Sequence, residues 1–135
     1  MEYPYDQNYS PPIPSLKVTL RIPRISTEIG PFPAIVDSGA DATLVPTSHL
    51  DTLGARAWNE AYLRSQWGER RRVYTYLVDV QVADQILPAI EVVGDDQGNE
   101  IVLGRNLLNT LILLMDGPAQ TTNVLSRRPR RLTLR

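Results

Sequence analysis

The stretch AIVDSGADATLVP, residues 34–46, places a carboxylate directly after a short apolar run and inside a turn of small residues. The two β-branched residues before Asp37 predict an interior strand, where an ionised carboxylate is costly unless it is hydrogen-bonded. Ser38 supplies a hydroxyl, and Gly39 permits a backbone conformation that turns amide groups inward. This composition predicts a loop that holds Asp37 rigidly at the floor of a cleft. A plain turn between two strands is the alternative interpretation.

Short apolar and alternating segments indicate strands along most of the chain. Alternation predicts strands over 16–22 and 73–82, and one face of the second is expected to hold Tyr74, Tyr76, Val78, Val80 and Val82. Further strands are expected at 34–36, 43–45, 86–93, 101–103, 111–115 and 121–125. A turn is expected at 31–33, and short helices at 46–53, stopped by Gly54, and within 105–111. With at most two short helices, the pattern predicts a mainly β fold with a small closed sheet.

Composition bounds the function classes. A chain of 135 residues is expected to form one domain, and a net charge of −1 gives no overall field that attracts nucleic acid or acidic lipid. The absence of cysteine excludes disulfides, thiolate chemistry and zinc fingers. No stretch approaches the ~20 apolar residues of a membrane span, and the N-terminus lacks the pattern of a secretory signal. We therefore expect a cytoplasmic protein without a membrane partner.

Both ends of the chain differ from its middle in composition. Residues 1–15 are rich in Pro, Tyr and polar side chains and are expected to form a flexible N-terminal arm. Residues 126–135 form a basic tail that holds five of the fourteen Lys and Arg residues. The tail could bind nucleic acid, but a solvated tail or a terminal strand is the favoured interpretation, and nucleic acid is not expected as a partner.

Two motifs together carry a family resemblance. AIVDSGADATLVP resembles the catalytic loop of retropepsin-like aspartic proteases, and IVLGRNLLN, residues 101–109, resembles the second signature of that family. The order and spacing of the pair match the family, and the resemblance covers residues 16–125, with a C-terminal hairpin similar to that of bacterial members. It implies a closed acid-protease barrel with one or two short helices and one lobe per chain.

The resemblance also implies roles for single residues. Asp37 would be the catalytic aspartate, Ser38 would make hydroxyl bonds across a dimer, and Gly39 would accept a substrate amide through its carbonyl group. Asp41 would contact the substrate backbone and pair with Arg105. Further positions implied to line the substrate site are Ile35, Ala40, Ala42 and Val102, and positions implied to support it are Thr43, Gly104 and Arg105.

One such aspartate is not enough for the chemistry. Hydrolysis of a peptide bond by carboxylates needs one ionised group to take a proton from water and a second to donate a proton to the scissile carbonyl. The acids at 96 and 116 lie in a polar loop and a tight turn, so Asp37 alone has the required context. The sequence therefore predicts a homodimer in which Asp37 of each copy forms the dyad. Neither a metal nor another cofactor is expected.

A substrate-covering hairpin, the flap, is expected between residues 56 and 73, with its tip near Trp67 and Gly68; a helix over 55–63 is the alternative. The segment departs from the glycine-rich flaps of viral members because it has one glycine and a run of charge. This departure leaves a second function open, namely a weakly active or inactive dimerisation or peptide-binding module. A serine hydrolase is disfavoured because His49 is the sole histidine and no Gly-x-Ser-x-Gly elbow is present.

Overall fold

The computed structural model describes residues 1–64 and 67–130, and these form ten strands and two short helices. The strands are β1 (Glu2–Pro4), β2 (Ser15–Arg21), β3 (Glu28–Val36), β4 (Thr43–Pro46), β5 (Asn59–Arg64), β6 (Arg70–Val82), β7 (Gln85–Asp95), β8 (Ile101–Leu103), β9 (Ile112–Asp116) and β10 (Thr121–Leu125). The helices are α1 (Thr47–Leu53) and α2 (Arg105–Leu108). The prediction of a mainly β fold with two short helices is confirmed.

Six of these strands close into a barrel. They follow the order β2-β3-β8-β4-β7-β6, and β2 pairs again with β6 to complete the circle. Alternating side chains of the strands fill the interior, as the period-two pattern of β2 predicts. Fully buried side chains of this core include Leu16, Val18, Leu20, Val45, Val78, Val80, Val82, Val92, Leu103 and Leu107. The closed barrel expected from the sequence is therefore confirmed.

Parallel pairing inside the barrel brings the two sequence motifs together. β3 runs parallel to β8, with Ile35 opposite Val102 and Val36 opposite Leu103. β4 then pairs antiparallel with the same strand through Leu44 and Val102. Because β3 and β8 run in the same direction, the loop after β3 and the start of α2 lie at the same end of the barrel. This topology makes the Asp37 loop, residues 37–42, and the Gly104 turn direct neighbours.

The N-terminal residues differ from the flexible arm expected for 1–15. β1 pairs antiparallel with β10, and β10 pairs with β9, so these three strands form a second sheet, here called the terminal sheet. The amino terminus of Met1 donates a hydrogen bond to the Val124 carbonyl oxygen at 3.0 Å. Tyr3 is buried. Composition alone missed this strand because its three residues are too few for a periodic pattern, and the burial of Tyr3 depends on β10, far along the chain.

Two details of the strands correct the sequence predictions. The turn expected at 31–33 does not form, because β3 continues through these residues and pairs with β2. The five residues expected on one face of β6 alternate as predicted but are not buried alike: Val78, Val80 and Val82 are buried, whereas Tyr74 is exposed. In the first half of this thirteen-residue strand the odd-numbered residues are the buried ones, and in the second half the even-numbered residues are. The change occurs because the first half leaves the barrel to pair with β5.

The ambiguous segment before β6 is a hairpin and not a helix. β5 pairs antiparallel with the first half of β6, from Asn59 opposite Thr75 to Arg64 opposite Arg70. Trp67 and Gly68 lie in the turn between the two strands, and Gly68 has a φ of 82°. The predicted position of the hairpin tip agrees with this turn. No helix of the described residues is long and apolar enough to cross a bilayer, and residues 131–135 of the basic tail lie outside the described part of the chain.

Candidate functional site

The loop after β3 holds the Asp37 carboxylate through backbone hydrogen bonds. The Asp37 N–H donates to the Leu103 carbonyl oxygen at 3.0 Å, which ties the loop to β8. The Gly39 N–H donates to Asp37 Oδ1 at 2.9 Å, and the Ala40 N–H donates to the Asp37 carbonyl oxygen at 3.1 Å. This small turn fixes the carboxylate while Asp37, Ser38 and Gly39 stay exposed on the single chain. The carboxylate is therefore oriented and accessible.

A buried hydroxyl supports the loop from below. Thr43, 1% exposed, accepts a hydrogen bond from the Gly104 N–H at 3.1 Å and donates one to Asn106 Oδ1 at 2.8 Å. The Asn106 amide in turn donates to the Glu91 carbonyl oxygen at 2.8 Å. The Thr43 hydroxyl thus satisfies a backbone donor that would otherwise be buried without a partner. The structure thus joins Thr43 and Gly104, two positions that the resemblance implied to support the site, and adds Asn106 to them.

Gly104 packs against the backbone of the Asp37 loop. A Cβ at this position would lie 2.5 Å from the Ala42 carbonyl carbon and 3.0 Å from the Ala42 nitrogen. Backbone atoms cannot move aside as a flexible side chain can, so any larger residue would displace the loop. A second backbone bond, from the Arg105 N–H to the Ala40 carbonyl oxygen at 2.8 Å, joins the start of α2 to the same loop.

The predicted ion pair between Asp41 and Arg105 does not form. The Arg105 guanidinium instead donates to the Ser38 carbonyl oxygen at 2.9 Å, and no ion pair joins it to Asp41 within the described residues. Because the Arg105 backbone is tied to Ala40, its side chain reaches back under the start of the loop and not toward its end. Asp41 is exposed.

A cleft of about 540 Å³ opens between the Asp37 loop and the β5–β6 hairpin. The loop side and β4 contribute Ala40, Asp41, Ala42 and Leu44. The opposite side contributes Leu63, Arg64, Glu69, Arg70 and Arg71 of the hairpin, with Gln97 of the loop after β7. Three of the residues predicted to contact a substrate, Ala40, Asp41 and Ala42, therefore share one wall. Arg70 and Arg71 belong to the run of charge at 68–72, and nothing in that run shows from sequence that it faces the loop.

The other predicted substrate contacts lie outside this cleft. Ile35 and Val102 are half-buried neighbours in the β3–β8 pairing, and Ile35 lines a smaller cavity of about 120 Å³. Trp67 is 82% exposed at the hairpin tip, beside Gly68. His49 stacks on Phe32 with ring centroids 4.2 Å apart and has no hydrogen bond to Ser38 among the described residues. In the same part of the chain, no three His, Asp or Glu residues cluster as a metal site would require.

Comparison with solved structures identifies the fold. The chain is similar to the equine infectious anaemia virus (EIAV) protease in complex with an inhibitor, at 18% identity and a TM-score of 0.59, over 73% of this chain and 86% of that one. It is also similar to a retropepsin-like aspartic protease from Rickettsia conorii, at 13% identity and a TM-score of 0.63, over 92% and 88% of the two chains. A third similar structure is the retroviral protease-like domain of Ddi1 from Leishmania major, at 17% identity and a TM-score of 0.50, over 85% and 91%.

These likenesses establish the retropepsin fold, which confirms the expectation from the two motifs. At identities of 13–18% they establish the fold alone. A scan against protein-family models and a search of curated proteins each returned no match.

Proposed function

We propose that this chain is an aspartic endopeptidase that acts as a homodimer, with Asp37 of each copy forming a two-carboxylate dyad. The single observation that carries the proposal is that the Asp37 carboxylate is both exposed and held in one orientation. Its carboxylate is exposed on one chain, yet it is oriented by the Gly39 N–H at 2.9 Å in a loop tied to β8 and α2. The backbone bonds from Asp37 to Leu103 and from Arg105 to Ala40 fix the loop on both sides, as the fixed geometry of a reacting carboxylate requires.

The chemistry follows from two carboxyl groups that face each other. At a separation of about 3 Å the two groups cannot both ionise, so they share one proton and titrate as a coupled pair. The ionised group takes a proton from water, which attacks the scissile carbonyl carbon while the protonated group donates to the carbonyl oxygen. Collapse of the tetrahedral intermediate breaks the C–N bond, with proton transfer to the leaving nitrogen.

The second carboxylate comes, in this proposal, from a second copy docked near the terminal sheet. This sheet lies beside the strand end that leads to Asp37: Ser15 Oγ donates to the Pro4 carbonyl oxygen at 3.4 Å, and Ser15 pairs with Ile35. Two apolar side chains of the edge strand β9 are accessible, Leu114 at 50% and Met115 at 52% exposed. An exposed apolar residue on an edge strand is suited to burial by a partner.

The cleft supplies the binding surface for the peptide. Ala40, Asp41 and Ala42 lie along one wall and the β5–β6 hairpin along the other. Backbone groups of an extended peptide can pair with such a wall, and the hairpin can cover the bound chain and exclude water. The names of two similar structures, a viral protease and a bacterial retropepsin-like aspartic protease, are consistent with this function.

Substitution of Asp37 by Asn tests the proposal. The amide keeps the shape of the side chain but cannot ionise, so peptide cleavage should fall by about 10²- to 10⁴-fold or more. Digestion of a random decapeptide library, followed by mass spectrometry, measures the cleavage. Asp84→Asn is the matched control, because Asp84 is an exposed acid in the turn between β6 and β7. Cleavage that persists in Asp37→Asn refutes the dyad.

A peptide-binding module without catalysis is the second candidate function. The observation that favours it is the hairpin, which carries a run of arginines where glycines are expected for a closing flap. If the wild-type dimer binds peptides but cleaves none between pH 4 and 7, this second function replaces the first.

A further inference from the structure

The hairpin wall of the cleft is strongly cationic. Arg64, Arg70 and Arg71 line it, while Asp41 and Glu69 are the carboxylates that line the same cleft. The two carboxylates come from opposite sides, Asp41 from the Asp37 loop and Glu69 from the residue before β6. Positive charge is therefore concentrated on the side that would cover a bound peptide.

Arg64 and Arg70 lie directly opposite each other across the hairpin. Like charges at directly opposite positions destabilise a strand pair. Neither arginine forms an ion pair within residues 1–64 and 67–130, and Arg70 stacks over the Tyr62 ring with its guanidinium carbon 4.8 Å from the ring centroid. Among the described residues, therefore, two like charges stand opposite each other without a carboxylate partner, which is the arrangement that an incoming anion would stabilise.

Arg71 lies on the opposite face of the strand from Arg70 and also lines the cleft, in a fixed position. Its guanidinium donates to the Gln97 side-chain oxygen and lies 3.8 Å from Asp95 Oδ1. Its Nε is shielded from solvent and has no acceptor among the described residues. The side chain is therefore anchored at its outer nitrogens and adds positive charge to the cleft without closing it.

We propose that this cleft selects peptides with an acidic side chain, Asp or Glu, and that Arg64 and Arg70 are the residues that determine this specificity. The inference rests on the proposed function and names its substrate class. A carboxylate between two guanidinium groups can accept charge-assisted, bidentate hydrogen bonds and remove the repulsion between them. The corresponding amide offers one neutral acceptor and gains little.

Paired peptides measure this selection. A peptide cleaved by the wild type in the library digest is resynthesised with Glu, Gln or Lys at each position around the scissile bond. At one position, kcat/KM for the Glu peptide should exceed that for the Gln peptide by about tenfold, as expected for a charge-assisted hydrogen bond in a partly exposed cleft. The Lys peptide should be the poorest of the three, and added salt should reduce the Glu preference.

Two variants test whether the preference for Glu over Gln peptides depends on Arg64 and Arg70. In the double variant Arg64→Met/Arg70→Met the Glu to Gln ratio should fall below about twofold, and loss of the repulsion should leave the hairpin at least as stable. Arg72→Met is the matched control, because Arg72 is paired with Glu60 at 3.6 Å and does not line the cleft. A ratio near one in the wild type, or a tenfold ratio that survives in the double variant, overturns the proposal.

A binding measurement separates this inference from the proposed function. Fluorescein-labelled random peptide pools that contain one fixed Glu or one fixed Gln are titrated with the Asp37→Asn protein and followed by fluorescence anisotropy. Preferential binding of the Glu pool, lost in the same protein with the double arginine variant, supports the selection even if the wild type cleaves nothing. Equal binding of both pools overturns it even if Asp37-dependent cleavage is established.

Discussion

At the scale of single residues, the hydroxyl of Thr43 is what links the two motifs. It accepts a hydrogen bond from the Gly104 N–H and donates one to the Asn106 side chain, and Thr43 is only 1% exposed. Thr43→Val keeps the shape but leaves the buried Gly104 donor without an acceptor, at a cost of about 1–3 kcal/mol in the free energy of unfolding. Thr43→Ser keeps the hydroxyl and loses one methyl group, about 1 kcal/mol. Urea denaturation should rank the Val variant below the Ser variant, and the reverse order would refute the role of the hydroxyl.

Gly104 is the second residue whose identity the loop requires. Because a Cβ would overlap the Ala42 backbone, Gly104→Ala should lower the free energy of unfolding by about 1–3 kcal/mol and displace the Asp37 loop. Gly117→Ala is the control, since nothing lies within 4 Å of its added Cβ, and its effect should stay below about 1 kcal/mol. Equal effects of the two substitutions in thermal denaturation would contradict the close packing.

A motif indicates which residues support a loop but not the contacts among them. The resemblance implied that Thr43 and Gly104 both support the Asp37 loop, and the structure adds the hydrogen bond that joins them. The pairing of Asp41 with Arg105 was wrong, because the direction of an exposed arginine depends on how the backbone beneath it is tied, and the Arg105 N–H is bound to Ala40. A residue type and a spacing do not encode that direction.

At the scale of elements, the terminal sheet depends on a buried tyrosine in β1. The Tyr3 hydroxyl contacts Met1 Sδ at 3.0 Å, and burial raises the pKa of Tyr3 above its usual 10.0, with a smaller contribution from the charge of Asp84. A raised pKa means that the unfolded chain loses this proton first. The stability that neutral Tyr3 contributes is therefore present below pH 10 and lost as the pH rises through the folded pKa.

The measurement is the free energy of unfolding in urea between pH 9 and 11. The wild type should lose stability over this range with a steeper slope than Tyr3→Phe, which has no proton to release. The difference in slope should not exceed about 1.4 kcal/mol per pH unit, the value for one proton. Parallel slopes would show that Tyr3 is not buried against β10.

Elements with strong periodicity were predicted well from the sequence, and elements set by distant contacts were not. The strands at 16–22, 101–103 and 121–125 match β2, β8 and β10 closely. β1 was missed because its burial depends on β10, over a hundred residues away. Tyr74 is exposed on the face of β6 that is buried further along at Val78, because half of the strand leaves the barrel; a period-two pattern cannot show which surface each half of a strand meets.

At the scale of the whole molecule, the proposed dimer makes the terminal sheet an interface. Leu114→Asp places a charge on its exposed apolar edge strand and should raise the dimer dissociation constant at least about tenfold. Cleavage should then be lost at low protein concentration and recovered at high concentration. Ile86→Asp is the control, since Ile86 is equally exposed, at 50%, but lies at the start of β7. Sedimentation equilibrium measures both; equal dissociation constants would place the interface elsewhere.

The central claim is that catalysis needs Asp37 from two copies, and subunit mixing tests it most directly. Wild type and Asp37→Asn are unfolded together in equal amounts, refolded at constant total protein, and assayed for peptide cleavage. Random pairing leaves about one quarter of the dimers with two wild-type chains, so activity should fall to about one quarter and follow the square of the wild-type fraction. A mixture with Asp84→Asn should keep full activity. Activity that instead falls linearly, to about one half in the equal mixture with Asp37→Asn, would show that each chain acts alone and would contradict the account.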